Sequence, residues 1–511
     1  MHFSKVHSAQ VNFLKAHIVD IEIDISNKTL SAFSIVGLPD KAVEESRDRV
    51  SAAIKNSGFK SPKSKNEKVI VSLAPANIKK EGANFDLGIA LGYLLASKEI
   101  LFNPQDKIFL GELTLDGKLR RIDGVLSLVI EAKKRGFKEV YLPQENVKEG
   151  ALIEGIEIYG AKHLNEIIRH LDEKQEEIII KLSPEKQTQV EYTSQKSLID
   201  FCDVKGQEIA KRGLEIAAAG GHNIVMYGPP GTGKTMLAKA FCGILPNLNF
   251  DDILECTAIH SVAGISQGEL ITHPPFRSPH HTSSYVSLVG GGTNPKPGEV
   301  TLAHKGVLFL DEFPEFEKRS IESLRQPLED GVIHISRSKG SAIFPANFIC
   351  IATMNPCPCG NYGSEKECIC THNQLINYQK KISGPIIDRM DMWVEVGQIE
   401  HEKLSDSENK GERSEIIRKR IEQAREKQEK RFEKNKTNSN MSVKEIEKYI
   451  KLNDEVLDIL NQSANQLGLS ARAYHKIIKL AQTISDLSQS QEILVEHILE
   501  ALQYRPKGLL L

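Results

Sequence analysis

Residues 223–235 read NIVMYGPPGTGKT, and the helical pattern MLAKAFCGIL follows at once. A short apolar run feeding a glycine-rich loop and then a helix is the setting that the G-x-x-x-x-G-K-[ST] motif requires. The glycines let the backbone turn its N–H groups onto phosphate oxygens at the positive end of the helix. Gly228, Pro229, Pro230, Gly231, Thr232, Gly233, Lys234 and Thr235 are therefore the candidate nucleotide-binding residues. In this chemistry Lys234 reaches the β- and γ-phosphates and the Thr235 hydroxyl ligates magnesium, so ATP and Mg2+ are implied.

Working outward, Val307–Leu310 (VLFL) predicts a second buried strand, and it ends in Asp311-Glu312. Asp311 at a strand end can hold magnesium, and Glu312 can polarise the attacking water as general base. The plain alternative is a solvent-facing acidic pair. A third predicted strand, Phe348–Thr353, ends at Met354-Asn355-Pro356. Strands, Gly-rich turns and helices alternate through residues 198–398, which predicts an α/β fold with a doubly wound P-loop core.

The whole chain, 511 residues, is too long for one ordinary hydrophobic core. With 26% charged residues and a net charge of −2, its overall charge points to no nucleic acid, so any basic surface is local. No apolar run reaches the eighteen or more residues of a membrane span, and the N-terminus lacks a signal peptide's apolar core. A cytoplasmic protein is expected, in which eight cysteines are not read as disulfides. Residues 1–172 read as a mixed α/β domain. Ile21, Ile23 and Ile25 alternate with acidic residues as in a strand, and Val43, Val50 and Ile54 recur at helical spacing. Further strands are predicted at Lys68–Leu73, Lys107–Leu113 and Glu139–Leu142, and helices at Phe85–Ala96 and Gly124–Lys134. The polar stretch 173–197 reads as a linker, and residues 399–511 as a helical lid.

Long runs in this chain resemble a known family. They are FRSPHHTSSYVSLVGGG (276–292), PGEVTLAHKGVLFLDEFPEF (297–316), ATMNPCPCG (352–360), SGPIIDRMDMWVEV (383–396) and LSARAYHKIIKLAQTISDL (469–487). Together they resemble the magnesium-chelatase-like AAA+ ATPases, specifically the ComM/YifB group. The resemblance implies that Asn355 orients the lytic water. It implies that Arg389 is an arginine finger acting on a neighbouring subunit's nucleotide, and hence a homo-oligomeric, hexameric ring. It also makes Arg472 a second sensor that contacts the γ-phosphate from the lid. The group resembles bacterial ring helicases that promote branch migration in natural transformation, which implies single-stranded or branched DNA as partner. Arg337 and Lys339 in a predicted hairpin, and Gly290–Gly292 with Lys296 in a mobile loop, are the candidate DNA-gripping segments. Two rivals remain open: a chelatase-type motor subunit, and an ATP-gated interaction protein that does not translocate.

Residues 68–149 resemble the Lon protease domain, through KKEGANFDLGIALGYL and GELTLDGKLRRIDGVLSLVIEAKKRGFKEVYLPQENVKE. Asn84 stands where that family carries its serine nucleophile, and the apolar Val125–Leu126 stand where it carries its lysine. No peptidase activity is expected. Cys357 and Cys359, then Cys368 and Cys370, pair as C-x-C around eight residues, with His372 beyond. Two such thiolate pairs can close a structural Zn2+ site; reduced thiols in a turn are the alternative. His280 and His281 read as loop-packing residues. The segment Arg418–Lys436 reads as a basic helix, either laced by salt bridges or facing DNA or another subunit.

Overall fold

The computed structural model describes the chain except residues 1, 28–30, 63–66, 175–180, 191, 193–198, 266–268, 293–295, 338–339, 364–365, 399–410, 434–435 and 507–511. It divides into two compact units: residues 1–191 with 254–270, and residues 192–253 with 271–511.

The first unit is built on β1 (His2–Asn12), β2 (Lys15–Asn27), β3 (Ala32–Val36), β4 (Glu67–Ala74), β5 (Lys107–Phe109), the short pair β6 (Glu112–Leu113) and β7 (Leu119–Arg120), β8 (Glu139–Pro143) and β9 (Glu157–Ala161). Seven of these form one mixed sheet in the order β3-β4-β2-β1-β5-β8-β9. The period-two pattern of β2 places Ile21, Ile23 and Ile25 in one core, as alternation on a pleated strand requires. The helix Asp86–Ala96 lies directly on that row. A Cβ at Gly88 or Gly92 would come within 2.6 Å or 2.9 Å of the Ile21 and Ile23 side chains, so glycine there sets how close the helix approaches. The predicted strand over 107–113 is broken, because the Gly111 N–H leaves the sheet to reach the Asn84 carbonyl at 3.1 Å.

Two features depart from the sequence reading. Within the stretch read as a linker, residues 181–190 run along the first unit. Glu185 N–H donates to Ile158 at 2.8 Å and Thr188 N–H to Ala151 at 3.0 Å, while Leu182 and Val190 pack on its cores. Ile178, Ile179 and Ile180 of that stretch lie outside the described residues. The second departure concerns the helix Phe250–Val262, which begins in the second unit but from Leu254 belongs to the first. There Leu254, Ala258 and Leu270 pack on the core under the helix Val125–Lys134. Ser261 donates to the buried Glu149 carboxylate at 2.6 Å and accepts the Gly124 N–H at 2.9 Å.

The second unit holds a parallel sheet of β10 (Ile224–Tyr227), β11 (Phe276–Arg277), β12 (Val307–Leu310), β15 (Ile349–Met354) and β16 (Met392–Glu395), ordered β11-β12-β15-β10-β16. A separate antiparallel hairpin pairs β13 (Val332–Arg337) with β14 (Gly340–Pro345). The helices Ser414–Phe432, Val443–Tyr449, Asp454–Leu467, Ala471–Leu487 and Val495–Gln503 follow. Their apolar faces join the sheet's own core: Ile421, Ala424, Leu480 and Ile484 cluster with Ala217, Ile224 and Val394. The helical lid is therefore continuous with the ATPase core.

Candidate nucleotide site

β10 is the strand between β15 and β16, with Ile224 opposite both Ile351 and Met392. Its buried, apolar side chains allow a strand covered on both faces, and its carboxyl end delivers the loop 228–233. Gly228 must be glycine for space, since a Cβ would sit 2.1 Å from the Val396 carbonyl. Gly231 and Gly233 are needed for conformation instead: their φ angles are 80° and 88°, with open space around both. Lys234 opens the following helix, and its ammonium donates to the carbonyls of Gly228 and Pro229, both at 2.7 Å, and to Asn355 Oδ1 at 3.3 Å. Burial lowers the Lys234 pKa, opposed by the charge of Asp311.

The neighbouring strand ends complete the pocket. Thr235 Oγ1 donates to Asp311 Oδ2 at 3.0 Å. An octahedral magnesium with ligands at about 2.1 Å sets adjacent oxygens roughly 3 Å apart, so this pair fits two such positions. Asp311's other oxygen accepts the Thr353 hydroxyl, and Thr353 Oγ1 in turn accepts the Glu312 N–H at 3.3 Å. Thr353 was missed in the sequence; the signal was a hydroxyl two residues before Asn355. Glu312 adopts a left-handed φ of 52°, which turns its side chain out of β12's line and into the open. Its carboxylate lies 3.5 Å from His281 Nδ1. His281 therefore faces the candidate base as well as packing against His280, the ring centres 4.1 Å apart and the planes tilted by 34°.

Arg389 and Arg472 are not brought to this pocket. Asn223, at the start of β10, accepts the Asp391 N–H and holds the Arg389 carbonyl through its side-chain amide at 3.2 Å. Both arginines thus lie at the amino ends of the strands, whereas the phosphate loop leaves the carboxyl ends. At about 3.3 Å per residue, β10 alone separates the two ends by roughly 13 Å. Arg389 and Arg472 instead share one carboxylate, Glu329, with Arg472 at 3.5 Å from it. Below them Asp391 is half-buried; burial opposes its charge, but His222, Lys476 and the Asn223 N–H together bring its pKa down to about 2. The resemblance makes Arg472 a sensor that contacts a γ-phosphate from the lid; within one chain it lies at the opposite strand ends from the phosphate loop.

The four cysteines converge. Cys357, Cys359, Cys368 and Cys370 place their sulfurs within 4.8 Å of one another, and three of the separations are 3.3, 3.8 and 3.6 Å. Zinc–sulfur bonds of about 2.3 Å in a tetrahedron put sulfurs roughly 3.8 Å apart. The donor set fits zinc; His372 is outside it, at the start of the helix His372–Gln379. A hydrogen bond from the Asn361 backbone, with others from the neighbouring thiols, lowers the Cys359 pKa to about 6.

Of the candidate DNA segments, Lys339 lies outside the described residues, and Arg337 is described only by its backbone at the end of β13. Lys296 is exposed and pairs with Gly291 through two backbone hydrogen bonds. The loop and the hairpin are adjacent, since a Cβ at Gly290 would lie 3.4 Å from Ile335. The basic helix is largely self-satisfied. Arg420 pairs with Glu215 and Glu412, Arg431 with Asp486, and Lys436 with Glu445, while Arg418 and Arg425 donate to the carbonyls of Gly243 and Ala218. In the first unit, Val125 and Leu126 are fully buried and Asn84 offers only an amide, so these three positions supply neither a hydroxyl nor an amine. Lys80, four residues before Asn84, is buried and donates to the Pro75 carbonyl.

This sheet order, with its phosphate loop, acidic strand end and fused helical lid, defines a magnesium-chelatase-type AAA+ P-loop chain. The profile described as magnesium chelatase, subunit ChlI, matches residues 200–404, that of subunit ChlI of Mg-chelatase matches 21–146, and the ChlI C-terminal profile matches 411–505. Among curated relatives, competence protein ComM of Haemophilus influenzae is 41% identical over 99% of this chain and 98% of its own length. YifB of Escherichia coli K12 is 42% identical over 99% and 97%. The chain belongs to the ComM/YifB family of magnesium-chelatase-like AAA+ ATPases. By contrast, the magnesium-chelatase 67 kDa subunit of Chlorobaculum parvum is 25% identical over 31% of this chain and 24% of its own length.

Proposed function

We propose that this protein is an ATP-driven ring motor acting on single-stranded or branched DNA, promoting branch migration of recombination intermediates in natural transformation. The observation that carries the ring is the separation of the phosphate loop from Arg389 and Arg472 at opposite strand ends. A site lacking both arginines is completed by a second copy, and repeating that relation around a closed cycle makes a ring, here a hexamer. Within each composite site Lys234 binds the β- and γ-phosphates, Thr235 and Asp311 hold Mg2+, Glu312 takes the proton of the attacking water and Asn355 orients that water. Arg389 and Arg472 from the neighbour stabilise the charge that develops on the transferred phosphoryl group. The adjoining Gly290–Gly292 loop and β13–β14 hairpin support DNA tracking, as does the competence protein named among the relatives. The four cysteines hold a structural zinc, the first unit is a Lon-like scaffold without peptidase activity, and the protein works in the cytoplasm. Among the described residues no helix is long and apolar enough to cross a membrane.

The test is ATP hydrolysis with and without forked or three-stranded DNA, together with movement of the branch point, using Lys234→Ala as the inactive control. Stimulation by branched DNA with branch movement is expected. Hydrolysis unaffected by any DNA, with a stationary branch, would overturn the motor reading. A chelatase motor remains the second reading because the matching profiles carry chelatase descriptions, including the one over the first unit. The presence of that unit therefore does not argue against it. Full-length coverage does: near-complete for ComM and YifB, about a quarter of the chelatase subunit.

A further inference from the structure

The cysteine cluster sits inside the catalytic loop. β15 ends at Met354, Asn355 follows, and Cys357 is two residues later. Between Cys357 and Cys370 the described residues form only turns and bends, so no ladder of hydrogen bonds holds this segment in place. Yet its two flanks and its Gly360 turn meet the nucleotide site. Gly360 (φ 82°) rests on the phosphate loop so closely that a Cβ would lie 2.7 Å from Pro230 Cδ. Asn355 accepts from Lys234 at 3.3 Å. Past Cys370, the helix His372–Gln379 carries buried Tyr378 back to the Asn355 backbone N–H. Just beyond that helix, Lys381 pairs with Glu315 at 2.9 Å, in the turn that follows Glu312.

We propose that the metal held by these four thiolates is a clasp for the catalytic loop, fixing Asn355 against Lys234 and Gly360 against Pro230, so that metal occupancy governs ATP turnover. This rests on the zinc reading above. Without the metal, Cys357–Cys359 and Cys368–Cys370 meet through their thiols and a few backbone N–H groups that reach the sulfurs, and closing an irregular loop has an entropic cost that metal–ligand bonds offset. The four residues act by positioning Asn355 and the phosphate loop; none touches the phosphates.

The experiment uses the full-length chain and basal ATP hydrolysis without DNA, so that it is independent of the motor reading. Zinc per chain is measured by elemental analysis on the wild type, on chelator-treated protein and on Cys368→Ser/Cys370→Ser. One zinc per wild-type chain is expected. Its loss is expected to lower kcat at least tenfold with KM for ATP changed less than twofold, and added Zn2+ should restore the chelated wild type but not the double variant. Gly360→Val, which keeps all four ligands but collides with Pro230, should retain zinc and lose turnover. Metal-free protein that hydrolyses ATP at the wild-type rate would overturn the clasp while leaving the zinc site standing. Wild type purified with reduced thiols and no bound metal, and taking up none, would overturn the zinc reading itself.

Discussion

Mixing two inactive variants locates the arginines. Lys234→Ala removes the ammonium proposed to meet the β- and γ-phosphates, and Arg389→Ala removes a cation that lies at the other end of β10 from that ammonium. A finger arginine is worth about 10³–10⁵ in kcat, or roughly 4–7 kcal/mol, so each variant alone should be silent. In a mixed ring a site works only when its phosphate loop comes from an Arg389→Ala chain and its finger from a Lys234→Ala chain. For random equimolar assembly that holds for about one site in four, whatever the ring size. ATPase of the mixture should therefore recover to about a quarter of wild type per site, and should track the product of the two fractions as the ratio is varied. The same pattern is expected with Arg472→Ala, since it shares Glu329 with Arg389. Recovery is read by phosphate release after confirming co-assembly by pull-down of differently tagged chains. Co-assembled rings with no recovery would refute the shared-site reasoning and return both arginines to their own chain's nucleotide.

Glu312→Gln should bind ATP normally but hydrolyse it at least ~10²-fold more slowly, because the base is lost while the loop is intact. His281→Ala, which removes the imidazole 3.5 Å from that carboxylate, should lower kcat by ~10-fold or more with unchanged ATP affinity; an effect on KM alone would place His281 in binding. In the first unit, burial raises the Glu149 pKa from its ordinary 4.5 despite the hydrogen bonds from Ser261 and Leu126 N–H, and its second oxygen is buried without a partner. The fold thus prefers the protonated acid, so this residue's contribution is full below pH 4.5 and is lost as pH rises through the folded-state value. Glu149→Gln should then raise the melting temperature of the first unit at pH 7–8 by a few degrees, with the gain vanishing toward pH 4.5; a pH-independent difference would sink the idea. Asn84→Ser should yield no ATP-stimulated cleavage of a fluorogenic peptide, since buried Val125 and Leu126 offer no amine to activate the new hydroxyl.

What was legible in the sequence was whatever is local. The phosphate loop, Asp311-Glu312 and Asn355 each sit at the end of a short apolar strand, and each announces itself within a dozen residues. The cysteine cluster was visible for the same reason. The features that escaped are products of convergence. Thr353 and His281 matter because three strand ends meet, which no spacing along the chain records. Arg472 carries the same local motif whichever end of the sheet its helix approaches, and only the packing of the lid on the shared core decides that. The helix Phe250–Val262 reads as an ordinary apolar helix of the ATPase core; its partners Glu149 and Gly124 lie more than a hundred residues upstream.

That helix also bears on how the protein is made. The first unit is not complete when Glu191 leaves the ribosome, because Leu254 to Leu270 supply part of its apolar contacts and the hydroxyl that meets Glu149. At about 5–20 residues per second, the 79 residues from there to Leu270 take roughly 4–16 s to synthesise. During that interval the nascent unit carries an uncovered apolar surface under the helix Val125–Lys134. Its last piece then arrives from within a stretch whose phosphate loop has already been translated. The N-terminal unit is finished from inside the ATPase sequence, so the two are born as one folding problem rather than as beads on a string.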